Sequence, residues 1–134
     1  LGIGFVAYAP LGRGLLTGKI RSLDTLEEND RRRDMPRFQG ENLGHNLELL
    51  GAADAVAARC GLSTAAVALA WVLSRGRDIV AIPGCKRRDT LTDSLTALEA
   101  GLSREDLKEI DAAFDAAAVR GTRYPEKQMA RLGL

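Results

Sequence analysis

The sequence predicts an α/β protein that contains a parallel pair of strands. Two short apolar runs, Gly2–Ala9 and Ile79–Ile82, are each followed by a proline and are too short for helices. The segment between them carries apolar residues at helical spacing, with Leu49, Ala53, Val56 and Cys60 at i, i+4, i+7 and i+11. Strands separated by helices pair in parallel through a crossover connection, so we expect an α/β fold.

Composition restricts the classes of function. At 134 residues, with 46% hydrophobic and 28% charged residues, the chain is about the size and composition of one globular domain. A net charge of +1 and only three Phe, two Tyr and one Trp offer neither a basic field nor a set of stacking platforms for bases. We therefore expect no nucleic-acid partner, and any anion site must be local.

Cysteine usage and hydropathy predict the compartment. Cys60 and Cys85 lie far apart, without a CxxC motif or a Cys/His cluster, so neither a disulfide framework nor a metal site is indicated. No window approaches the ~18 consecutive apolar residues of a membrane span, and no signal-peptide pattern precedes the first strand. We expect a soluble cytoplasmic protein with reduced thiols and no membrane partner.

The stretch after the first strand is predicted to be a ligand-approach loop. Gly12, Gly14 and Gly18 permit positive φ angles and close contact between backbone and ligand. Residues 20–42 are polar without a sustained period, and we interpret them as a loop. Arg31–Arg33 are interpreted as part of that solvated loop in preference to a nucleic-acid patch, because acidic residues flank them.

Helices are predicted from Asn42 onward. One helix should run to Cys60 and end at Gly61, and Ser63 should cap a second, buried helix that closes at Gly76. Trp71 in that helix is interpreted as a core residue.

The second strand, Ile79–Ile82, is predicted to be buried and to lead into an anion site. Lys86, Arg87 and Arg88 stand at the start of the next helix, where unpaired N–H groups and the helix dipole also attract anions, phosphate above all. A solvated surface is the alternative for these three cations. The helix itself is expected from about Asp89 to Ala100, with Leu91, Leu95 and Leu98 on one face.

A strong local signal marks the last predicted helix. Ser103 and Asp106 have the spacing of a capping box, and Leu102 and Leu107 that of a hydrophobic staple. Residues 118–134 form a polar tail expected to lie over a surface. Two strands alone leave a parallel sheet with open edges, so the chain is expected to be part of a larger sheet.

Several segments together resemble the C-terminal portion of the aldo-keto reductases. In order they are GFVAYAPLGRGLLTGK, PRFQGENL, DIVAIPGCKRRDTLTDSL and LSREDLKEID, and the tail motif GTRYP resembles the ending of one bacterial branch. The resemblance implies that residues 1–134 form the C-terminal half of a (β/α)8 TIM-type barrel. Gly2–Ala9 would be its seventh strand and Asp78–Ile82 its eighth. It also implies NADP(H) as cofactor and reduction of aldehydes or ketones by hydride transfer.

The resemblance assigns cofactor contacts after the first strand. Tyr8 matches the family tyrosine that stacks on the nicotinamide ring, whereas an aromatic residue capping a strand end is its structural alternative. Ala9 stands where the family usually has Ser. Leu11, Gly12, Arg13 and Gly14 match the loop along the pyrophosphate.

The resemblance assigns a second set of cofactor contacts, which follow the second strand. Gly84, Cys85, Lys86 and Arg87 match the segment around the 2′-phosphate and ribose, and Cys85 replaces a common Thr or Ser. Asp93 and Ser94 occupy positions where Glu-Asn commonly meets the adenine, but both side chains are shorter here. Arg88 is assigned to neither group.

No catalytic residue is assigned in this chain. The family's Tyr, Lys, Asp and His come from the first half of the barrel, and no segment here matches them. Tyr124 and His45 are not proposed as substitutes, and His45 is expected to have a structural or surface role. Expected partners are a small carbonyl substrate and either the N-terminal half of the barrel or further copies of the chain.

Two alternatives compete with this function. A non-catalytic nucleotide-binding regulatory module, or an inactive fragment of the family, remains open and would be recognised by an upstream sequence without the catalytic residues. A Rossmann fingerprint at Gly12–Gly14 is rejected, because Thr17 occupies the position of the required third glycine.

Overall fold

The computed structural model describes residues 2–132 and has the predicted α/β class. In chain order its strands and helices are β1 (Phe5–Tyr8), α1 (Gly40–Glu48), α2 (Gly51–Cys60), α3 (Thr64–Leu73), β2 (Ile79–Ile82), α4 (Arg88–Thr96), α5 (Arg104–Ala113) and α6 (Glu126–Met129). Short 3-10 segments lie between them at Gly12–Thr17, Leu23–Thr25, Arg31–Asp34, Pro36–Phe38 and Ala97–Glu99.

The two strands pair in parallel, as predicted. Phe5 lies opposite Ile79 and Tyr8 opposite Ile82, and α1, α2 and α3 form the crossover between the strands. β2 has the predicted bounds, whereas β1 is shorter than the predicted Gly2–Ala9. β1 ends at Tyr8 because Ala9 adopts a φ of 49°, which an extended strand cannot continue through.

The prediction that both strands are buried is wrong for this chain. Ala7 is buried, but Phe5 and Tyr8 are 61% and 69% exposed, and Val80 and Ile82 are also exposed. Ala81 packs against the α3 side of the sheet, while no element among the described residues covers the opposite face. A parallel sheet is normally covered on both faces, so this sheet is incomplete, as two strands alone led us to expect.

The predicted loop of residues 20–42 is instead a compact folded segment. It buries Ile20, Leu26, Met35 and Phe38 in one cluster with Leu15 and with Leu43 of α1. The solvated-loop interpretation is also wrong for two of its arginines. Arg32 bonds Asp30, and Arg33 donates to the carbonyl oxygens of Leu26 and Glu27. Sequence periodicity missed this core because short 3-10 turns joined by extended residues give its apolar side chains neither helical nor strand spacing.

The single helix predicted from Asn42 to Cys60 is divided into α1 and α2. The division falls at Leu49 and Leu50, whose backbone stays in the right-handed helical region. The predicted end is confirmed, because Gly61 takes a left-handed φ of 65° and donates its N–H to the carbonyl of Ala57.

Helix α3 is the buried helix that the sequence predicts. Ser63 caps it by accepting the Ala66 N–H at 3.0 Å, and residues 65–70 are all buried. It ends at Leu73, before the predicted Gly76. Trp71 packs edge-to-face on Phe114 with centroids 6.0 Å apart, in agreement with a core role.

None of the helices in residues 2–132 could cross a membrane alone. One pair of helical segments, Gly40–Cys60 and Thr64–Leu73, is bent by 99° at the break between them and matches a membrane span in length and composition only.

The C-terminal helices follow the predicted local signals. α4 begins at Arg88 and passes into the 3-10 turn Ala97–Glu99, slightly offset from the expected Asp89–Ala100. Leu91, Leu95 and Leu98, its expected apolar face, are exposed. The capping box of α5 is confirmed, since Ser103 and Asp106 exchange side chain to backbone hydrogen bonds.

The tail, expected only to lie over a surface, lies against α1 and the folded segment of residues 20–42. Asn46, only 3% exposed, donates to the carbonyls of Arg37 and Arg120 and accepts the Arg120 N–H at 2.9 Å. Gly121 approaches so closely that a Cβ there would lie 2.7 Å from the carbonyl carbon of Pro36. These contacts fix the tail beside the carboxyl end of β1.

Candidate functional site

A cleft of about 420 Å³ opens at the carboxyl ends of the two strands. Parallel pairing brings both ends to the same edge of the sheet, so the loops after β1 and β2 meet there. Six of the predicted cofactor residues line it: Tyr8, Ala9, Leu11, Arg13, Gly14 and Gly84. The structure therefore joins the two sequence segments that the family resemblance paired.

A smaller pocket of about 220 Å³ adjoins the cleft. It shares Tyr8, Ala9 and Arg13 with the cleft, and it contains the predicted residue Gly12. Its remaining walls come from the folded segment and the tail, namely Met35, Arg37, Phe38, Arg123 and Tyr124. We call it the tail pocket.

Three consecutive residues of the loop after β1 adopt left-handed backbone conformations. Gly12, Arg13 and Gly14 have φ values of 55°, 59° and 93°. A Cβ on Gly14 would lie 3.2 Å from Ile20 Cδ1, so both conformation and space favour glycine. The N–H groups of Gly12 and Gly14 donate to the carbonyls of Ala9 and Leu11. These glycines therefore shape the loop, and their amides are engaged within it.

Arg32 supports this loop, and sequence reasoning did not select it. Its Nε donates to Asp30 Oδ1 at 2.9 Å, and its Nη1 donates to the carbonyl of Arg13 at 3.3 Å. The hydrogen bonds from Arg32 lower the pKa of Asp30 to about 2. The left-handed conformation of Arg13 costs about 1–3 kcal/mol, which a bond to its carbonyl helps to offset. The acid two residues before Arg32 was the only available sequence signal.

The predicted cations after β2 lie outside the cleft lining. Lys86, Arg87 and Arg88 are exposed, and Arg87 is the N-cap residue of α4. Its Nε donates to Asp89 Oδ1 at 3.0 Å, and this bond, followed by that from the Thr90 N–H, lowers the pKa of Asp89. An anion at this helix start would compete with Asp89 for Arg87.

The other predicted residues near α4 are occupied by contacts within the chain. Asp93 accepts the Ser63 hydroxyl at 2.8 Å, so it links α4 to the cap of α3. Ser94 donates to the carbonyl of Thr90 at 2.8 Å and lies 3.7 Å from Cys85 Sγ. Asp93, Ser94 and Cys85 do not line the cleft that Tyr8 borders.

His45 has the structural role that the sequence predicts. Its Nε2 lies 2.9 Å from the carbonyl oxygen of Ala118 and, as a donor, holds the start of the tail. Tyr124 packs in the tail pocket, where the guanidinium of Arg13 lies 4.9 Å from its ring centroid. Across residues 2–132, no three His, Cys, Asp or Glu side chains form a group suited to a metal ion.

The cleft also contains residues that were not predicted. These are Pro10, Thr17, Arg32, Ile82 and Thr90. The arrangement combines an exposed tyrosine ring, a glycine-shaped loop and the guanidinium of Arg13 at one edge of a parallel sheet, with the guanidinium of Arg32 paired to Asp30 beside them. It suits a ligand with a flat ring and an anionic portion.

Comparison with known proteins agrees with this geometry. The family model described as "Aldo/keto reductase family" matches residues 1–115. The aldo-keto reductase yakc of Schizosaccharomyces pombe, whose name specifies NADP(+), is 46% identical over 123 residues, or 92% of this chain. The chain spans only 36% of that relative's length. From the matched family model and this identity, the chain belongs to the aldo/keto reductase family.

Proposed function

We propose that the chain is the NADP(H)-binding portion of an oxidoreductase that reduces aldehydes or ketones by hydride transfer. The observation that carries the proposal is the cleft where the carboxyl ends of β1 and β2 meet. In (β/α)8 barrels the active site lies at this end of the strands. Membership of the family and the cofactor in the relative's name support the same conclusion.

The residues present fit such a cofactor. NADP(H) supplies the hydride when bound. Tyr8 presents an exposed ring to a flat nicotinamide, and the Gly12–Gly14 loop presents Arg13 to the pyrophosphate. Lys86 and Arg87 would hold the 2′-phosphate and ribose with Gly84 and Cys85, at the start of α4. Asp93 and Ser94 would contact adenine only after leaving their present hydrogen-bond partners.

We assign β1 and β2 to the seventh and eighth strands of a (β/α)8 barrel, with residues 118–134 as its C-terminal tail. The exposed apolar faces of the strands and of α4 support completion by an N-terminal half or by other copies of the chain. Catalytic residues would come from that completing part. The cytoplasm, with its reduced thiols and NADP(H), is the proposed compartment.

A non-catalytic nucleotide-binding module, or an inactive fragment, is the second candidate. It is favoured by the residues that line the cleft and the tail pocket. Among the described residues, these include tyrosines and arginines but no Lys, Asp or His. Such a module would bind the cofactor without turning over a carbonyl compound. Cofactor binding and turnover must therefore be measured separately.

The proposal is tested by titrating the chain with NADPH and following nicotinamide fluorescence. Loss of a stacking contact in Tyr8→Leu should weaken binding about two- to tenfold. Phe5→Leu is the matched control, because Phe5 is on the same strand, is similarly exposed and lines neither the cleft nor the tail pocket. Equal weakening by both variants, or no saturable binding by the unaltered chain, would contradict the proposal.

A further inference from the structure

Two arginines from distant parts of the chain line the tail pocket. Arg37 belongs to the 3-10 turn Pro36–Phe38, and Arg123 lies in the tail. The pocket also contains the rings of Tyr8 and Tyr124, with Arg13 over the face of Tyr124. Its walls thus combine cationic groups with aromatic surfaces.

The backbone holds these two arginines together. Arg37 Nε donates to the carbonyl of Gly121 at 3.3 Å, and Asn46 bonds the carbonyls of both Arg37 and Arg120. A Cβ on Gly121 would lie 2.9 Å from the Arg37 nitrogen, so glycine permits this close approach. Arg123 lies two residues after Gly121 and lines the same pocket as Arg37, so backbone contacts that do not involve its own side chain support its position.

The electrostatics of the pocket favour an anion. Burial, and then the charge of Arg123, lower the pKa of the Arg37 guanidinium. None of the ion pairs found within residues 2–132 involves Arg37 or Arg123. A carboxylate in the pocket would offset both charges and accept the planar forks of the guanidinium groups.

We infer that the tail pocket binds the carboxylate of a short carbonyl substrate, with Arg37 and Arg123 as its specificity-determining residues. The inference rests on the proposed function, which it extends to the substrate class. The pocket is lined by Tyr8, the proposed nicotinamide contact, but by none of the residues Gly84–Arg87, where the proposed 2′-phosphate contacts lie. The pocket shares Gly12 and Arg13 with the proposed pyrophosphate loop, but its other two arginines, Arg37 and Arg123, have no proposed cofactor contact, so we assign it to the substrate in preference to the cofactor.

The tail pocket is small, with a volume of about 220 Å³. A linear aldehyde acid of a few carbons suits that space, whereas drug-sized ligands occupy larger pockets. In the reaction, NADPH would deliver hydride to the carbonyl carbon and a proton would reach the oxygen from a donor in the completing part of the barrel. The products are the hydroxy acid and NADP+, and the carboxylate is unchanged.

Binding of an unreactive probe tests the inference without turnover. Glutarate is titrated by calorimetry into the chain, in the oligomeric state in which it purifies, and the neutral diol of the same length serves as the control ligand. We expect Arg37→Gln and Arg123→Gln each to weaken glutarate binding about tenfold or more. Arg123→Lys should retain part of the affinity. Arg131→Gln is the matched control because Arg131 is a tail arginine that does not line the pocket, and it should bind glutarate as the unaltered chain does.

Three results would overturn the inference. The first is that the diol binds as tightly as glutarate. The second is that Arg123→Gln binds glutarate within twofold of the unaltered chain. The third is that Arg123→Gln loses NADPH affinity in parallel with glutarate affinity, which would assign the pocket to a cofactor phosphate. A separate NADPH titration distinguishes the two proposals. Arginine-dependent glutarate binding without NADPH binding would uphold the anion pocket and contradict the proposed cofactor role.

Discussion

Replacing Asn46 by alanine should release the tail from the folded segment of residues 20–42. Asn46 makes three hydrogen bonds, one to the Arg37 carbonyl and two with the backbone of Arg120. At about 1 kcal/mol for each bond, the variant should lose about 2–3 kcal/mol of local stability. That loss corresponds to about 30- to 150-fold more of the opened tail.

The assay is limited trypsin digestion, with cleavage after Arg120 and Arg123 followed by mass spectrometry. When opening and closing are fast, the cleavage rate follows the population of the open form, so cleavage should accelerate by the same factor. Asn42→Ala is the matched control. Asn42 lies one turn earlier on α1 and makes a single bond, from its Nδ2 to the Pro36 carbonyl at 2.9 Å.

The expected pattern is strong acceleration in Asn46→Ala and a change below about fivefold in Asn42→Ala, since one bond is worth about 1 kcal/mol. Tail cleavage within twofold of normal in Asn46→Ala would refute the idea that this side chain fastens the tail. Equal acceleration by both variants would show that α1 as a whole had loosened. In either case the tail pocket, which Arg37 and Arg123 line, would lack the support proposed for it.

Four further predictions concern activity, assembly, cofactor preference and pH. The pure chain should not oxidise NADPH with an aromatic aldehyde, because the family's usual proton donor matches no segment of this sequence, and turnover unaffected by Tyr124→Phe would reveal another donor. Light scattering should show association, because apolar strand and helix faces are exposed and a closed barrel needs about 250 residues; a monodisperse, cooperatively melting monomer would contradict this. In the completed protein, Arg87→Ala should weaken NADPH about ten- to a hundredfold and leave NADH nearly unchanged by fluorescence titration, whereas equal weakening would assign Arg87 to another role. Since the pKa of Asp30 is lowered from 3.8 to about 2, its contribution is complete above pH 4 and is lost as pH falls towards 2. Hydrogen exchange of residues 26–38 should accelerate over that range in the unaltered chain, and this dependence should be absent in Asp30→Asn.

Local signals in the sequence predicted much of the secondary structure. Ser63, Gly61 and the Ser103–Asp106 pair each act within a few residues on the backbone that they cap, so their effect is visible in sequence. The bounds of β2 follow from its apolar run and Pro83. The family resemblance was likewise carried by contiguous segments, and the family-model match confirms it.

Only the tertiary structure decided which polar groups face each other. The bonds of Asn46 to Arg120 and of Arg37 to Gly121 join residues more than seventy positions apart, and no periodicity encodes such pairs. The same is true of Asp93, whose partner Ser63 is the N-cap of another helix. The sequence pattern also could not decide whether the strands are buried, because an apolar strand is buried only where another element covers it. The exposed faces of β1 and β2 are apolar in sequence, yet no element of residues 2–132 packs against them.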